Sequence, residues 1–251
     1  MRVFKFGGAS VKDAEGVKNV VKVLKEVGHD NTMLVISAMG KTTNAMEEVV
    51  DAYFDNKSEI VHKIDAVVEY HNSILKELFP NPQHQVYKEV KTLIEEVKGF
   101  LAWNKSPKYN FVYDQVVGYG ELLSTAIVSA YLEEVGIRNQ WLDVRGFIKT
   151  DSSYRDTTVL WEKTQEHISK IDRSVLNITQ GFLGSDENNF TTTLGREGSD
   201  YTAAILAYCL NADSVTIWKD VPGVLNADPR YFKETQLLNN ISYREAIELA
   251  F

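Results

Sequence analysis

The chain has 251 residues, 44% of them hydrophobic and 25% charged, which is enough apolar material for a sizeable core and excludes a disordered chain. Its 35 acidic residues against 27 basic ones give a net charge of −8, excluding the broad basic face that nucleic acid or an anionic membrane requires. The single cysteine, Cys209, cannot form an internal disulfide, no stretch is apolar enough to span a bilayer, and the first residues read as a strand, so the cytoplasm is the expected location.

In chain order, Arg2 to Phe6 reads as a first strand, followed at once by Gly7-Gly8. A helix is expected from about Val11 to Val27, with Val17, Val20, Val21, Leu24 and Val27 on one face. Met33 to Ser37 is a continuous apolar run, as in a strand buried on both faces of a parallel sheet. Strand, glycine turn, helix and strand form a βαβ unit. Residues 44–105 then carry three amphipathic stripes, with breaks near Pro80-Asn81-Pro82 and Pro107, and predict a helical insertion. Downstream, a helix is expected around Val116 to Leu132, strands near 140–144, 175–179 and 190–193, and a helix near 199–210. A strand follows at Ser214 to Trp218. A capping box, Ser242-Tyr243-Arg244-Glu245, opens a last helix.

The most informative stretch is Thr191-Thr192-Thr193-Leu194-Gly195-Arg196-Glu197-Gly198-Ser199-Asp200, where a β-prone run enters a glycine loop and an alanine-rich helix leaves it. Glycines let the backbone approach a ligand, the helix start offers N–H groups to an anion, and Arg196 adds a planar fork for a carboxylate or phosphate. Asp200 supplies a counter-charge. Glu121 is a carboxylate inside an apolar helical stretch and needs a cationic partner. Lys5 lies within a strand, where it either faces solvent or serves a ligand at the strand end. Thr43 or Asn44 can cap the helix after Ser37-Ala38-Met39-Gly40, and Phe182 can simply be core. His29, His62, His71, His84 and His167 are scattered without metal-ligand spacing.

Four segments together carry a resemblance. They are Lys5-Phe6-Gly7-Gly8-Ala9-Ser10, Gly118-Tyr119-Gly120-Glu121-Leu122-Leu123-Ser124, the Arg196-Glu197-Gly198-Ser199-Asp200 loop, and Trp218-Lys219-Asp220-Val221-Pro222-Gly223 running on to Ala227-Asp228-Pro229-Arg230. In this order they resemble the aspartate kinases of the amino-acid kinase family. The resemblance implies an α/β fold: an open three-layer αβα sandwich around a mainly parallel sheet, like that of acetylglutamate kinase, with the helical insertion beside it. It implies one kinase domain over 1–251, incomplete at its C-terminus. An amino-acid-binding lobe would cover about 1–185 with its insertion at 44–105, and a nucleotide-binding lobe about 186–251. Further strands and regulatory ACT domains are expected beyond Phe251.

The implied reaction is transfer of the γ-phosphoryl group of ATP, with Mg²⁺, to the β-carboxylate of L-aspartate, the first step toward lysine, threonine and methionine. Such a carboxyl group, with a pKa of roughly 4, is already an ionised nucleophile at neutral pH, so catalysis would rest on cations and backbone N–H groups. By the same resemblance, Lys5 and Asp200 are catalytic, and Ser37, Thr43, Glu121, Phe182, Arg196 and Ser199 bind the amino acid, with Glu121 taking the α-ammonium. Lys5, Gly7, Gly8, Lys219, Asp220, Leu225 and Arg230 would contact the nucleotide, and no protein metal ligands are implied. Glu197 stands where the family has glycine, Leu225 where many members have tyrosine, and Lys219 where threonine is common. The expected partners are aspartate and MgATP, with neither nucleic acid nor membrane, in a homo-oligomer formed through parts outside this chain. Two other readings stay open: a glutamate or acetylglutamate kinase, and a catalytically incompetent fragment.

Overall fold

The computed structural model describes residues 1–219, 221 and 223–250. The strands are β1 (Arg2–Phe6), β2 (Thr32–Ile36), β3 (Asn139–Leu142), β4 (Leu176–Gln180), β5 (Leu183–Ser185), β6 (Thr191–Thr193) and β7 (Ser214–Trp218). Five of them form one sheet in the order β3-β4-β2-β1-β7, with every described pairing parallel. β5 and β6 form a separate antiparallel pair. The helices are α1 (Ala14–Val27), α2 (Thr42–Asp55), α3 (Ile60–Leu78), α4 (Gln85–Trp103), α5 (Tyr109–Val117), α6 (Tyr119–Glu134), α7 (Trp161–Ile168), α8 (Gly198–Leu210) and α9 (Tyr243–Ala250).

The central strand β2 is buried along its whole length, as its apolar run Met33–Ile36 predicts, whereas the outer strands β3 and β7 are partly exposed. Alternating residues of β1 and β2 feed two cores. Phe4, Phe6, Leu34 and Ile36 pack with α1, α2 and α6, while Val3, Met33 and Val35 pack against Ala203 and Leu206 of α8. Helices therefore cover both faces of the parallel sheet, giving the three-layer αβα architecture. Strand β1 lies between β2, which follows it in sequence, and β7, which arrives near the end. The carboxyl end of such a strand is where open α/β sheets place ligands.

Local chemistry explains most of the element limits. A 3₁₀ turn over Gly8–Val11 precedes α1, whose start is fixed at Asp13, which accepts a hydrogen bond from the Gly16 N–H at 2.8 Å. The helix expected over 116–132 is in fact two, meeting at Gly118. That residue keeps right-handed helical angles (φ −58°, ψ −20°), so the apolar periodicity runs through the junction unbroken. Two elements escaped the periodicity altogether. β5 has only three residues, and α7 buries only Thr164 and Ile168.

The chain divides into two compact units, Met1–Trp218 and Lys219–Phe251. Within the second, Leu225 bridges Leu237 and Leu238 N–H donates to Val224 O. The Ser242 capping box closes reciprocally: Glu245 N–H donates to Ser242 Oγ at 3.2 Å and Ser242 N–H to Glu245 Oε2 at 2.9 Å. No helix among the described residues is long and apolar enough to cross a membrane.

Candidate active site

A cavity of about 640 Å³ opens at the carboxyl ends of β1, β2 and β4 within the first unit. Lys5, Gly8, Ser37, Thr43, Glu121, Phe182, Arg196 and Ser199 all line it. These residues come from separate stretches of chain, brought together by the parallel topology.

Lys5 is the fourth residue of β1, and strand alternation turns it, with Val3, toward the α8 layer. It is 6% exposed, and its Nζ lies 2.6 Å from Asp200 Oδ1 in the first turn of α8. A cation held at a helix N-terminus beside a glycine turn is suited to phosphate oxygens. Gly8 sets how closely that turn approaches the loop after β2. Its carbonyl accepts the Gly40 N–H at 3.0 Å, and a Cβ placed on it would lie 2.6 Å from the Ala38 carbonyl oxygen. Gly8→Ala is therefore expected to destabilise the protein by about 1–3 kcal/mol, a drop of roughly 2–10 °C in Tm. A calorimetric scan checks it, and an unchanged Tm would mean that the turn relaxes freely.

Glu121 sits in the first turn of α6 and is only 3% exposed. Its Oε1 accepts the Ala38 N–H at 3.4 Å, and Oε2 has no partner among the described residues. Burial pushes this carboxyl up to about 8, with the Ala38 hydrogen bond opposing the rise. A buried carboxyl facing a cavity with an unused oxygen is arranged to accept a cationic ligand.

Arg196 is exposed and, among the described residues, makes no ion pair within 4 Å. It follows Gly195 and precedes Glu197, the N-cap residue of α8, which holds left-handed angles (φ +55°) and also lines the cavity. Ser199 is buried one residue into α8. The cavity wall is close-set here: a Cβ on Gly181 would lie 2.4 Å from Ser199 Oγ, so only glycine lets the end of β4 meet the start of α8. Phe182, itself left-handed (φ +69°), donates its N–H to Thr202 Oγ1 at 2.9 Å and packs against both cores.

Neither Thr43 nor Asn44 caps α2, contrary to the capping expectation. The N-cap position belongs to Lys41 and carries no side-chain cap bond, because the helix starts two residues early. Thr43 and Asn44 instead lie in the first turn, on the cavity. Gly7 lies beside Lys5: a Cβ on it would be 3.6 Å from Lys5 Nζ.

The remaining sequence candidates belong to the second unit. Lys219 is exposed, and Leu225 is half-buried in its bridge to Leu237. Arg230 is held by Asp228, with Nε 3.0 Å and Nη2 2.6 Å from Oδ2. Asp220 lies outside the described residues.

Sequence reasoning missed four cavity-associated groups: Glu47, Tyr113, Asp114 and Arg155. Glu47, Tyr113 and Arg155 line the cavity. Asp114 is fully buried behind it, where it accepts hydrogen bonds from Arg155 N, Thr193 N and Thr193 Oγ1 at 2.8–3.1 Å. Burial pushes its carboxyl up to about 7, against those hydrogen bonds. The signal was available for Asp114, a carboxylate inside the apolar Val112–Val117 stretch just as Glu121 is inside its own. For Arg155 no local pattern exists, since it lies in a polar loop.

A model of the amino acid kinase family matches residues 1–251. The chain belongs to the amino acid kinase family. Among members of that family it is 33% identical over 253 residues to the lysine-sensitive aspartokinase 3 of Escherichia coli (strain K12), covering 99% of this chain and 55% of that protein. It is 34% identical over 264 residues to the chloroplastic aspartokinase 1 of Arabidopsis thaliana, covering 99% of this chain and 45% of that protein. The crystal structure of E. coli aspartokinase III in complex with aspartate and ADP (R-state) matches with a TM-score of 0.88 at 32% identity, covering 100% of this chain and 56% of that one. This amino acid kinase thus spans about half the length of these relatives.

Proposed function

We propose that the chain carries the catalytic machinery of an ATP-dependent aspartate kinase, forming 4-phospho-L-aspartate. The observation that carries this reading is that Glu121, with its buried carboxyl, Arg196 and Lys5 line one cavity, with Asp200 paired to Lys5. An acidic amino acid supplies the matching charges: an ammonium for Glu121, one carboxylate for Arg196, and a second carboxylate to attack phosphorus near Lys5. The similarity to a solved aspartokinase holding aspartate and ADP supports the same choice.

The chemistry asks for no general base. A carboxylate oxygen attacks the γ-phosphorus, the bond to the bridging oxygen of ADP breaks, and its electron pair leaves with ADP. Lys5 would spread the charge that develops on the phosphoryl oxygens, and Asp200 would hold Lys5 in position. Ser37, Thr43 and Ser199 would donate hydrogen bonds to the amino acid, with Phe182 closing the wall. Among the described residues no group of three or more His, Cys, Asp and Glu converges on one point. Mg²⁺ would enter with the triphosphate and would supply positive charge at the transferring phosphoryl group.

The nucleotide roles of Lys219, Asp220, Leu225 and Arg230, and the division into an amino-acid lobe (about 1–185) and a nucleotide lobe (about 186–251), rest on the resemblance. ADP release with MgATP and L-aspartate, glutamate or N-acetylglutamate as acceptor tests the proposal. Phosphorylation of glutamate or acetylglutamate in preference to aspartate overturns it. Arg196→Ala is expected to raise KM for aspartate far more than KM for ATP, costing about 2–4 kcal/mol in kcat/KM for the acceptor. Steady-state kinetics with each substrate varied would show it, and an unchanged aspartate dependence would leave Arg196 a loop residue only.

A further inference from the structure

Arg155 lies on the same cavity as Arg196 and Glu121 but belongs to none of the motifs that mark the site. Its backbone is unusual. Tyr154 and Arg155 are consecutive non-glycine residues in the left-handed region, at φ +55° and +65°. That conformation is disfavoured for side chains with a Cβ and persists only where the surroundings over-determine it. Here they do. Both oxygens of the buried Asp114 accept the Arg155 N–H, at 3.1 and 3.0 Å, while the same carboxylate holds Thr193 of β6. Thr157 N–H and Oγ1 both donate to the Thr193 carbonyl, and Tyr154 Oη reaches Asp186 Oδ2 at 3.0 Å. The Arg155 backbone is thereby locked to the strand that leads into the Arg196 loop.

The side chain is supported but not consumed. Its guanidinium sits 4.3 Å from the centre of the Tyr113 ring and 5.6 Å from that of Tyr109, an arrangement that orients the plane while leaving its edges for hydrogen bonds. Among the described residues it forms one ion pair, to Glu47 Oε1 at 3.5 Å, between side chains that are 42% and 39% exposed. A pair so long and so solvated is weak, and a better-placed carboxylate can replace it. Glu47 stands one turn after Thr43 on α2, and both face the cavity.

We propose that Arg155 is a second carboxylate-binding residue of this cavity, held by Glu47 until an acidic amino acid enters, and that it helps select a substrate bearing two carboxylates. The inference rests on the proposed acceptor class. It adds a recognition group from a loop that the phosphoryl-transfer motifs do not include.

The test is calorimetric titration of L-aspartate into the wild-type chain and into Arg155→Gly, Arg155→Lys and Glu47→Gln. Glycine suits the left-handed backbone, so Arg155→Gly removes the side chain while keeping the loop, and a thermal melt verifies that. Its Kd for aspartate is expected to rise about tenfold or more. Arg155→Lys should bind more weakly than wild type, since a point charge lacks the fork. Glu47→Gln should bind as tightly as wild type or a few-fold tighter. Asparagine and isoasparagine, each with one carboxylate amidated, identify the group that is read: in Arg155→Gly one of the two should bind no worse than aspartate. A wild type that binds aspartate, beside an Arg155→Gly variant within twofold of it or penalising both amides as wild type does, overturns the inference alone. A wild type that binds no aspartate overturns the functional reading and the inference with it.

Discussion

Lys5→Ala is expected to lower turnover of aspartate by MgATP about a thousandfold or more while leaving the fold and aspartate binding nearly intact. The size follows from the chemistry. A loosely bonded phosphoryl spreads charge over its outer oxygens, and Lys5 is the cation that β1 delivers to the glycine turn at its end. Its loss removes that stabilisation and leaves Asp200, 2.6 Å from the ammonium in the intact protein, as an uncompensated negative charge beside the triphosphate. A thousandfold corresponds to about 4 kcal/mol in the barrier. The fold should survive at a cost of about 1–3 kcal/mol, because the Lys5 side chain is only 7% exposed and its loss leaves the 30% exposed Asp200 carboxylate without its partner. Single-turnover rates at saturating substrate measure the effect directly. Near-normal turnover in a folded Lys5→Ala protein would mean that another cation carries the transferring phosphoryl.

The residues that sequence reasoning reached and those it missed differ in a physical way. Lys5, Glu121 and Arg196 break a pattern: a cation at the end of a buried strand, a carboxylate in an apolar helix, an arginine between glycines ahead of a helix. Each break is costly unless a ligand or partner justifies it, so the sequence exposes it. The parallel sheet was equally legible at β2, which is buried on both faces and carries the apolar run Met33–Ile36; β4 is buried as fully, but its Asn177, Thr179 and Gln180 are polar and hydrogen-bonded, so it carries no such run. Arg155 breaks no local pattern. It lies in the polar stretch Asp151–Thr158, and its importance depends on Asp114 and Thr193, about 40 residues away on either side. Pairings of that separation are set by packing, and periodicity carries no trace of them. The start of α2 shows the same limit on a smaller scale. Capping chemistry favoured Thr43 or Asn44, but the Thr42 hydroxyl donates to the Met39 carbonyl at 2.6 Å and the helix begins there, freeing Thr43 for the cavity.

Aspartate binding is expected to release about one proton at neutral pH and to weaken roughly tenfold between pH 7 and pH 6, with Glu121 as the source of both effects. Burial raises the Glu121 carboxyl to about 8, so before substrate binds, the neutral acid predominates at pH 7. The substrate ammonium favours the carboxylate, so binding pulls the pKa down and expels the proton. The sign follows directly. As pH falls below 8, an increasing share of the binding energy goes into deprotonating Glu121, and affinity drops about tenfold per unit. Above pH 8 that penalty disappears. Glu121→Gln keeps the size of the side chain but cannot ionise. Its aspartate affinity should be flat over this range and, above pH 8, about a hundredfold weaker than wild type, because a buried ammonium then has a neutral amide in place of its counter-ion. Calorimetry in two buffers of different ionisation enthalpy counts the protons, and titrations from pH 6 to 9 give the profile. Binding without proton release and independent of pH in the wild type would show that Glu121 is already ionised before substrate binds or does not meet the ammonium. The buried oxygen with no partner among the described residues would then need another explanation.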